Sequence, residues 1–299
     1  MEIALGIACS HAGLIATRRD QGSPDQSGRY FAAADLLREQ IRDLAPDAIV
    51  VLGTDHMKAY TLAGGIPPAA IGVGTVAHGL GDAGVPARDI PVHADLAAGL
   101  LEAYTAAGGA LTFAEEIRID HSFVVPLDLF DPEASFPIVA ITQNCNVPPR
   151  PTMQAGYDLG TGLRAAIDTL PGRVVFIATG GLSHWVGDER RRAFMQRQPG
   201  SRLADLAQHP VELEETGPVN ERFDKEFLDA VQAGDIAGFL RGWPDDRLEQ
   251  EAGNGAHELR NWATAAGFLG DAPGEVLAYE PIAEWLTGVG IVRFTPSGN

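Results

Sequence analysis

The sequence predicts an α/β fold, a parallel or mixed sheet covered by helices on both faces. Strand-like and helix-like segments alternate along most of the 299 residues, the pattern that layers helices over a sheet. Three short β-rich apolar runs each lead through a small-residue turn to a histidine. Reacting groups gather where strands leave an open sheet at their carboxyl ends. No stretch has the composition of a linker, no fixed period recurs and no low-complexity tract interrupts the chain, so residues 1–299 read as one domain.

The elements follow in order. Glu2–Cys9 is a strand that leads through Ser10 to His11. Arg18–Ser27 is polar and glycine-bearing, a surface loop. Gly28–Leu44 carries Tyr30, Ala34, Leu37, Ile41 and Leu44 at alternating steps of four and three, the stripe of an amphipathic helix, and Pro46 stops it. Ala48–Gly53 is the second strand, leading through Thr54 and Asp55 to His56. Val92–Ala107 is a helix ended by Gly108-Gly109. Phe136–Ile141 reads as a strand, Gln154–Leu170 as a helix and Arg173–Thr179 as a third strand leading through Gly180–Ser183 to His184. From Val186 to Gly217 the pattern breaks into charged sequence, either a solvated excursion or a lid over the histidine-bearing edge. Pro218–Gly234 and Glu258–Phe268 read as helices.

Composition narrows the function. A 45% hydrophobic share in a chain of this length permits a large core. The net charge of −18 argues against nucleic acid or an anionic membrane as partner, because both select basic surfaces. Two cysteines exclude a disulfide framework and a four-cysteine zinc site. No apolar stretch reaches about 18 residues and the first residues lack a basic leader, so a cytoplasmic protein without a membrane span is expected.

Of the eight histidines, His11, His56 and His184 follow strands. His121 stands with Asp120 before the apolar run Phe123–Leu127, and His257 precedes Glu258. His78, His93 and His209 carry no further signal. A single histidine after a strand is usually structural; three in the same place argue for a metal or acid–base site. Two histidines and one carboxylate on one face of a metal suit non-haem Fe(II) oxygen chemistry, and the same residue types serve zinc with a bound water. Glu258 also reads as an acid complementing a helix dipole, and Cys9 as a small buried hydrophobe. Gly181-Leu182-Ser183-His184 resembles the first half of a nucleophile elbow, but Trp185 stands where that turn needs glycine. No dinucleotide or phosphate-loop motif is present.

Taken in order, these fragments resemble the class III extradiol ring-cleavage dioxygenases, the superfamily of protocatechuate 4,5-dioxygenase. The likeness runs through Cys9-Ser10-His11, Asp55-His56, Asp120-His121 with Pro126-Leu127, and Gly180–His184. It continues through Ala256-His257-Glu258 with Trp262 to Pro281–Trp285. The resemblance implies a three-layer α/β/α sandwich with a mixed central sheet. It implies Fe(II) on His11, His56 and Glu258, His184 as catalytic base and His121 as a second proton-transfer group. It implies a small aromatic substrate, a substituted catechol or related dihydroxy-aromatic, opened beside its diol with both atoms of O2 inserted. A homo-oligomer is implied as well. Met57-Lys58-Ala59-Tyr60 and Asn220–Phe223 depart from the members most resembled, which leaves the ring substituent unread. The rival readings are a non-catalytic metal-binding or scaffold protein on the same fold, and a metal-dependent hydrolase.

Overall fold

The computed structural model describes residues 1–20, 22–61, 63–185 and 218–296. The stretch 186–217, read from sequence as an excursion or lid, lies outside the described residues, as does His209.

In chain order the elements are β1 (Glu2–Cys9), α1 (Gly13–Thr17), α2 (Pro24–Leu44) and β2 (Ala48–Thr54). Short strands β3 (Ala69–Gly72), β4 (Val76–Leu80) and β5 (Ala87–Pro91) precede α3 (Ala94–Ala106), β6 (Thr112–Ala114) and β7 (Ile117–Ile119). Next come α4 (His121–Phe130), β8 (Ile138–Gln143), α5 (Met153–Ile167) and β9 (Arg173–Thr179). After residue 217 lie α6 (Glu221–Gln232), α7 (Ile236–Arg241), α8 (Asp245–Ala252) and α9 (Leu259–Leu269). The hairpin of β10 (Gly274–Ile282) and β11 (Thr287–Phe294) completes the fold.

The central sheet is ordered β10-β11-β1-β9-β2-β8-β3-β6. Strands β1, β9, β2 and β8 run parallel, whereas β3 pairs antiparallel with β8 and β11 with β1, so the sheet is mixed. Strands β5, β4 and β7 form a second, smaller sheet. Every residue of β2 and β8 is buried, as is all of β9 except Arg173. Strands covered on both faces read as unbroken apolar runs, which is why these three are visible in the sequence.

Helix α9 lies over β1, β2 and β9 with α5 packed along it, and Phe268 stacks on Phe176 of β9 with ring centroids 4.1 Å apart. Helix α4 packs against β2 and β9, and α2 against β10 and β11. The result is the expected three-layer α/β/α sandwich with a mixed central sheet.

Several boundaries differ from the sequence reading, each for a local reason. Helix α2 starts at Pro24 rather than Gly28, because Ser23 and Gln26 form a reciprocal capping box and Pro24 occupies the first helical turn. Helix α3 starts at Ala94 rather than Val92: Val92 bridges to Ile138, and the His93 ring accepts the Leu96 N–H as cap. Strand β8 starts at Ile138 because Asp131 draws the N–H groups of Ser135 and Phe136 into a turn. Helix α5 ends at Ile167, short of Leu170, and α6 starts at Glu221, past Pro218, where Asn220 caps it. Glu258 does not open a helix; it ends a 3₁₀ turn, Asn254–Glu258, and α9 begins at Leu259.

Candidate metal and acid–base site

Strands β1, β9 and β2 are neighbours and parallel, so the turns bearing His11, His184 and His56 leave one edge of the sheet side by side. Helix α9 brings Glu258 to the same place. Asn261 in its first turn donates to Thr54 Oγ1 at 2.9 Å and to the Thr179 carbonyl at 2.7 Å, and Trp262 Nε1 donates to the Gly180 carbonyl at 3.1 Å. The helix is thereby pinned across the ends of two strands, and the turn before it hangs over the gap.

The side chains meet at Glu258. Its carboxylate lies 3.2 Å from His11 Nε2 and 3.0 Å from His56 Nε2, and it accepts the Gly181 N–H at 2.7 Å. The other nitrogen of each ring is occupied. Thr179 Oγ1 gives its own hydrogen to the Ser122 carbonyl, so it accepts from His11 Nδ1 at 3.0 Å. Asp120 accepts both the backbone N–H of His56, at 2.7 Å, and its Nδ1–H, at 2.9 Å. With each Nδ1 carrying its proton, the two Nε2 atoms are the ones aimed at the centre, the arrangement in which outer partners orient metal-binding imidazoles.

His184 also lies near the carboxylate, its Nε2 4.0 Å from Glu258. Its Nδ1–H donates to the Leu182 carbonyl at 2.9 Å, which leaves an unshared pair on Nε2. The ring is held flat between two glycines. A Cβ on Gly181 would come within 2.5 Å of His184 Cε1, and one on Gly255 within 2.1 Å of His184 Nε2. His121, first residue of α4, stacks on His56 with centroids 4.3 Å apart. Asp82 accepts its backbone N–H at 2.9 Å and its Nδ1–H at 2.7 Å, which turns its Nε2 to the cavity. One ring nitrogen each of His11, His56 and His121 lie within 4.8 Å of one another.

Burial sets the protonation states. Desolvation lowers the pKa of His11 and of His184, so both are neutral near pH 7. Burial would raise Asp120 and Glu258, but the neighbouring imidazoles hold both carboxyls well below the usual carboxylate range. His56 is desolvated too, yet Asp120 and Glu258 together raise it well above an ordinary histidine. A neutral His11 therefore presents a lone pair to the Glu258 carboxylate across 3.2 Å. Two acceptors that close, almost without solvent, call for a cation between them. His11, His56 and Glu258 thus fit a divalent metal by donor type and direction, and the cation would displace the proton that His56 holds.

These groups open into a cavity of about 510 Å³ whose remaining wall includes Leu14, Ala83, Trp285 and Leu286. That size suits a small aromatic molecule.

The structure brings together all five residues singled out in the sequence, His11, His56, His121, His184 and Glu258. Other candidates lie elsewhere. The His257 ring is buried between Glu249 and Arg260. Ser183 Oγ donates to Asp224 at 2.9 Å and accepts the Asn220 N–H at 2.8 Å, with no histidine partner among the described residues, so it is not built as a nucleophile. Cys9 is fully buried and desolvation raises its thiol pKa. His78 pairs with Asp89 at the surface. Sequence reasoning missed Asp82, Asp120 and Thr179 as partners of the histidines. Asp120 had a signal, standing next to His121; Asp82 had only its place in the turn Gly81–Gly84.

A family model described as the catalytic LigB subunit of aromatic ring-opening dioxygenase matches residues 5–290. The chain belongs to that family, and it is an extradiol ring-cleavage dioxygenase. Among curated relatives, the 2,3-dihydroxyphenylpropionate/2,3-dihydroxicinnamic acid 1,2-dioxygenase of Rhodococcus sp is 28% identical over 316 residues, covering 97% of this chain and 98% of that one. The protein of the same name from Paraburkholderia xenovorans (strain LB400) is 29% identical over 292 residues, 90% of each chain. The crystal structure of an uncharacterized protein from Escherichia coli K12 matches with a TM-score of 0.54 and 15% identity, covering 97% of this chain and 99% of that one, a likeness of fold. Among the described residues no helix is long and apolar enough to cross a membrane.

Proposed function

We propose that this chain is a non-haem Fe(II) dioxygenase that opens a substituted catechol beside its diol and inserts both atoms of O2. The observation that carries the reading is the convergence of His11 Nε2 and His56 Nε2 on the Glu258 carboxylate, with two further imidazoles facing the same cavity. In this reading His11, His56 and Glu258 hold the metal and leave adjacent positions open. Bound Fe(II) would supply Lewis acidity toward the diol and electrons toward O2. The protein's part is orientation and proton control.

His184 Nε2, unprotonated and desolvated, accepts a proton from the diol as the substrate enters. His121, held by Asp82 and facing the cavity through Nε2, donates a proton when the O–O bond breaks. The apolar wall at Leu14 and Trp285 keeps the ring in place and excludes water from it. The relatives are named for 2,3-dihydroxylated phenylpropionate and cinnamate, which supports a catechol substrate for this chain. The proposal includes one catalytic domain over residues 1–299, working in the cytoplasm as a homo-oligomer.

The test is oxygen uptake after anaerobic Fe(II) loading, across substituted catechols, protocatechuate, gallate and 2-aminophenol. Uptake with a yellow ring-opened product is the expected result. Bound iron without uptake on any of them would sink the reading, and tight zinc with hydrolytic turnover would replace it.

A further inference from the structure

The chain contains only two lysines, Lys58 and Lys225. Lys225 pairs with Glu221 one helical turn away, at 3.1 Å. Lys58 lines the catalytic cavity, is solvent-exposed at its rim, and has no ion-pair partner among the described residues. Its place is fixed by the backbone. Just after His56 the chain turns at Met57, whose φ of 60° is in the left-handed region. The Asp55 carboxylate then accepts the N–H groups of Lys58, Ala59 and Tyr60 at 3.1, 2.9 and 2.9 Å. The acid nearest in sequence is thereby committed to holding the loop, and the ammonium is left for something else.

The acids of the cavity are committed as well. Asp82 holds His121, and Glu258 sits among the imidazoles. Lys58 is thus the single cation with a permanent charge among the described residues of the cavity wall. The surrounding field is hostile to anions, since the chain carries a net charge of −18. An uncharged catechol would need no ammonium at the rim, whereas an anionic one would need a local cation to enter.

We propose that Lys58 is the residue that recognises the ring substituent, its ammonium pairing with a carboxylate there such as the one on the phenylpropionate for which the relatives are named. One ammonium matches one monoanion; a dianionic phosphate would meet a single cation and the two carboxylates, Asp82 and Glu258, further in. The assignment rests on the dioxygenase reading for the diol end of the substrate, while the anion contact is independent of turnover.

The experiment has two arms. In the first, the Fe(II)-loaded enzyme is given 3-(2,3-dihydroxyphenyl)propionate and its uncharged amide, and the ratio of kcat/KM values is read. Wild type favours the acid by about tenfold, the scale of one charge-assisted contact in a partly wet site. Lys58→Met brings the ratio close to one, Lys58→Glu inverts it and Lys58→Arg restores it. The second arm uses calorimetry with 3-phenylpropionate and 3-phenylpropionamide, which lack the diol. Binding of the acid weakens about tenfold in Lys58→Met, and binding of the amide does not follow it. Acid-to-amide ratios that are the same in wild type, Lys58→Met and Lys58→Glu would overturn the proposal, as would equal binding of acid and amide by wild type. Ring opening of no catechol, with the Lys58-dependent binding intact, would remove the dioxygenase reading and leave the anion site standing.

Discussion

Each residue of the site is held by a partner that leaves one atom free to act. In the proposed mechanism Glu258 holds the metal and His184 takes the proton, and the division is measurable. Glu258→Ala should abolish stoichiometric iron binding, because two imidazoles with no carboxylate make a weak site. His184→Ala should keep the iron and lose about 10²–10⁴-fold in kcat, the usual contribution of a positioned base. Metal content by elemental analysis and oxygen uptake separate the two. Normal activity across pH in His184→Ala would refute the base assignment, and normal iron in Glu258→Ala would refute the ligand. Gly255→Ala is a subtler probe. The new Cβ would fall within 2.1 Å of His184 Nε2, so the ring must tilt off the cavity. Turnover should drop at least about tenfold at unchanged iron content, since small misplacements of a base are costly. A variant with wild-type kcat would show that the glycine cradle does not orient the base.

At the scale of elements, α6 is tied to the segment that presents His184. Asp224 is fully buried and accepts the N–H of Ser183 at 2.8 Å, its hydroxyl at 2.9 Å, and the hydroxyl of Tyr279 at 2.9 Å. Burial is the main cause that pushes its pKa up to about 6. The folded-state value thus lies above the unfolded one, and the fold prefers the protonated acid. Its contribution to stability is full below about pH 4 and is lost as pH rises through about 6, amounting to about 3 kcal/mol. Urea unfolding of wild type and Asp224→Asn at pH 4.5 and pH 7 should show wild type losing ground to the variant at the higher pH. A pH-independent difference would mean that Asp224 is ionised throughout.

The whole molecule carries many more acids than bases, and its stability should reflect that. Raising ionic strength from about 0.02 to 0.2 M shortens the screening length, so the self-repulsion of a chain with net charge −18 falls and Tm should rise by a few degrees. A falling Tm would mean that ion pairs such as Arg29–Glu280 outweigh the repulsion. The parts of this molecule that were legible in the sequence are those with local signals. Strands β1, β2 and β9 are buried on both faces and announce themselves as apolar runs ending in histidine. The capping box at Ser23 and Gln26 was also written there, but inside a polar stretch read as a loop. Strands β3 to β7 were not legible, being three to five residues long and rich in small or polar side chains. The β10–β11 hairpin was missed too, its pairing set by contacts with β1 at the other end of the chain. The partners of the site histidines were hidden for the same reason: Asp82 is 39 residues from His121 and Thr179 is 168 from His11. Such distances leave no trace in local pattern.

Asp120 has a consequence of its own. One of its oxygens grips His56 by ring and backbone, while the other caps α4 through the Ser122 N–H, immediately beyond His121. In the proposed mechanism, metal ligand and proton donor are therefore coupled through one carboxylate: a change at Asp120 would shift His56 and His121 together, whereas a change at Asp82 would act on His121 alone.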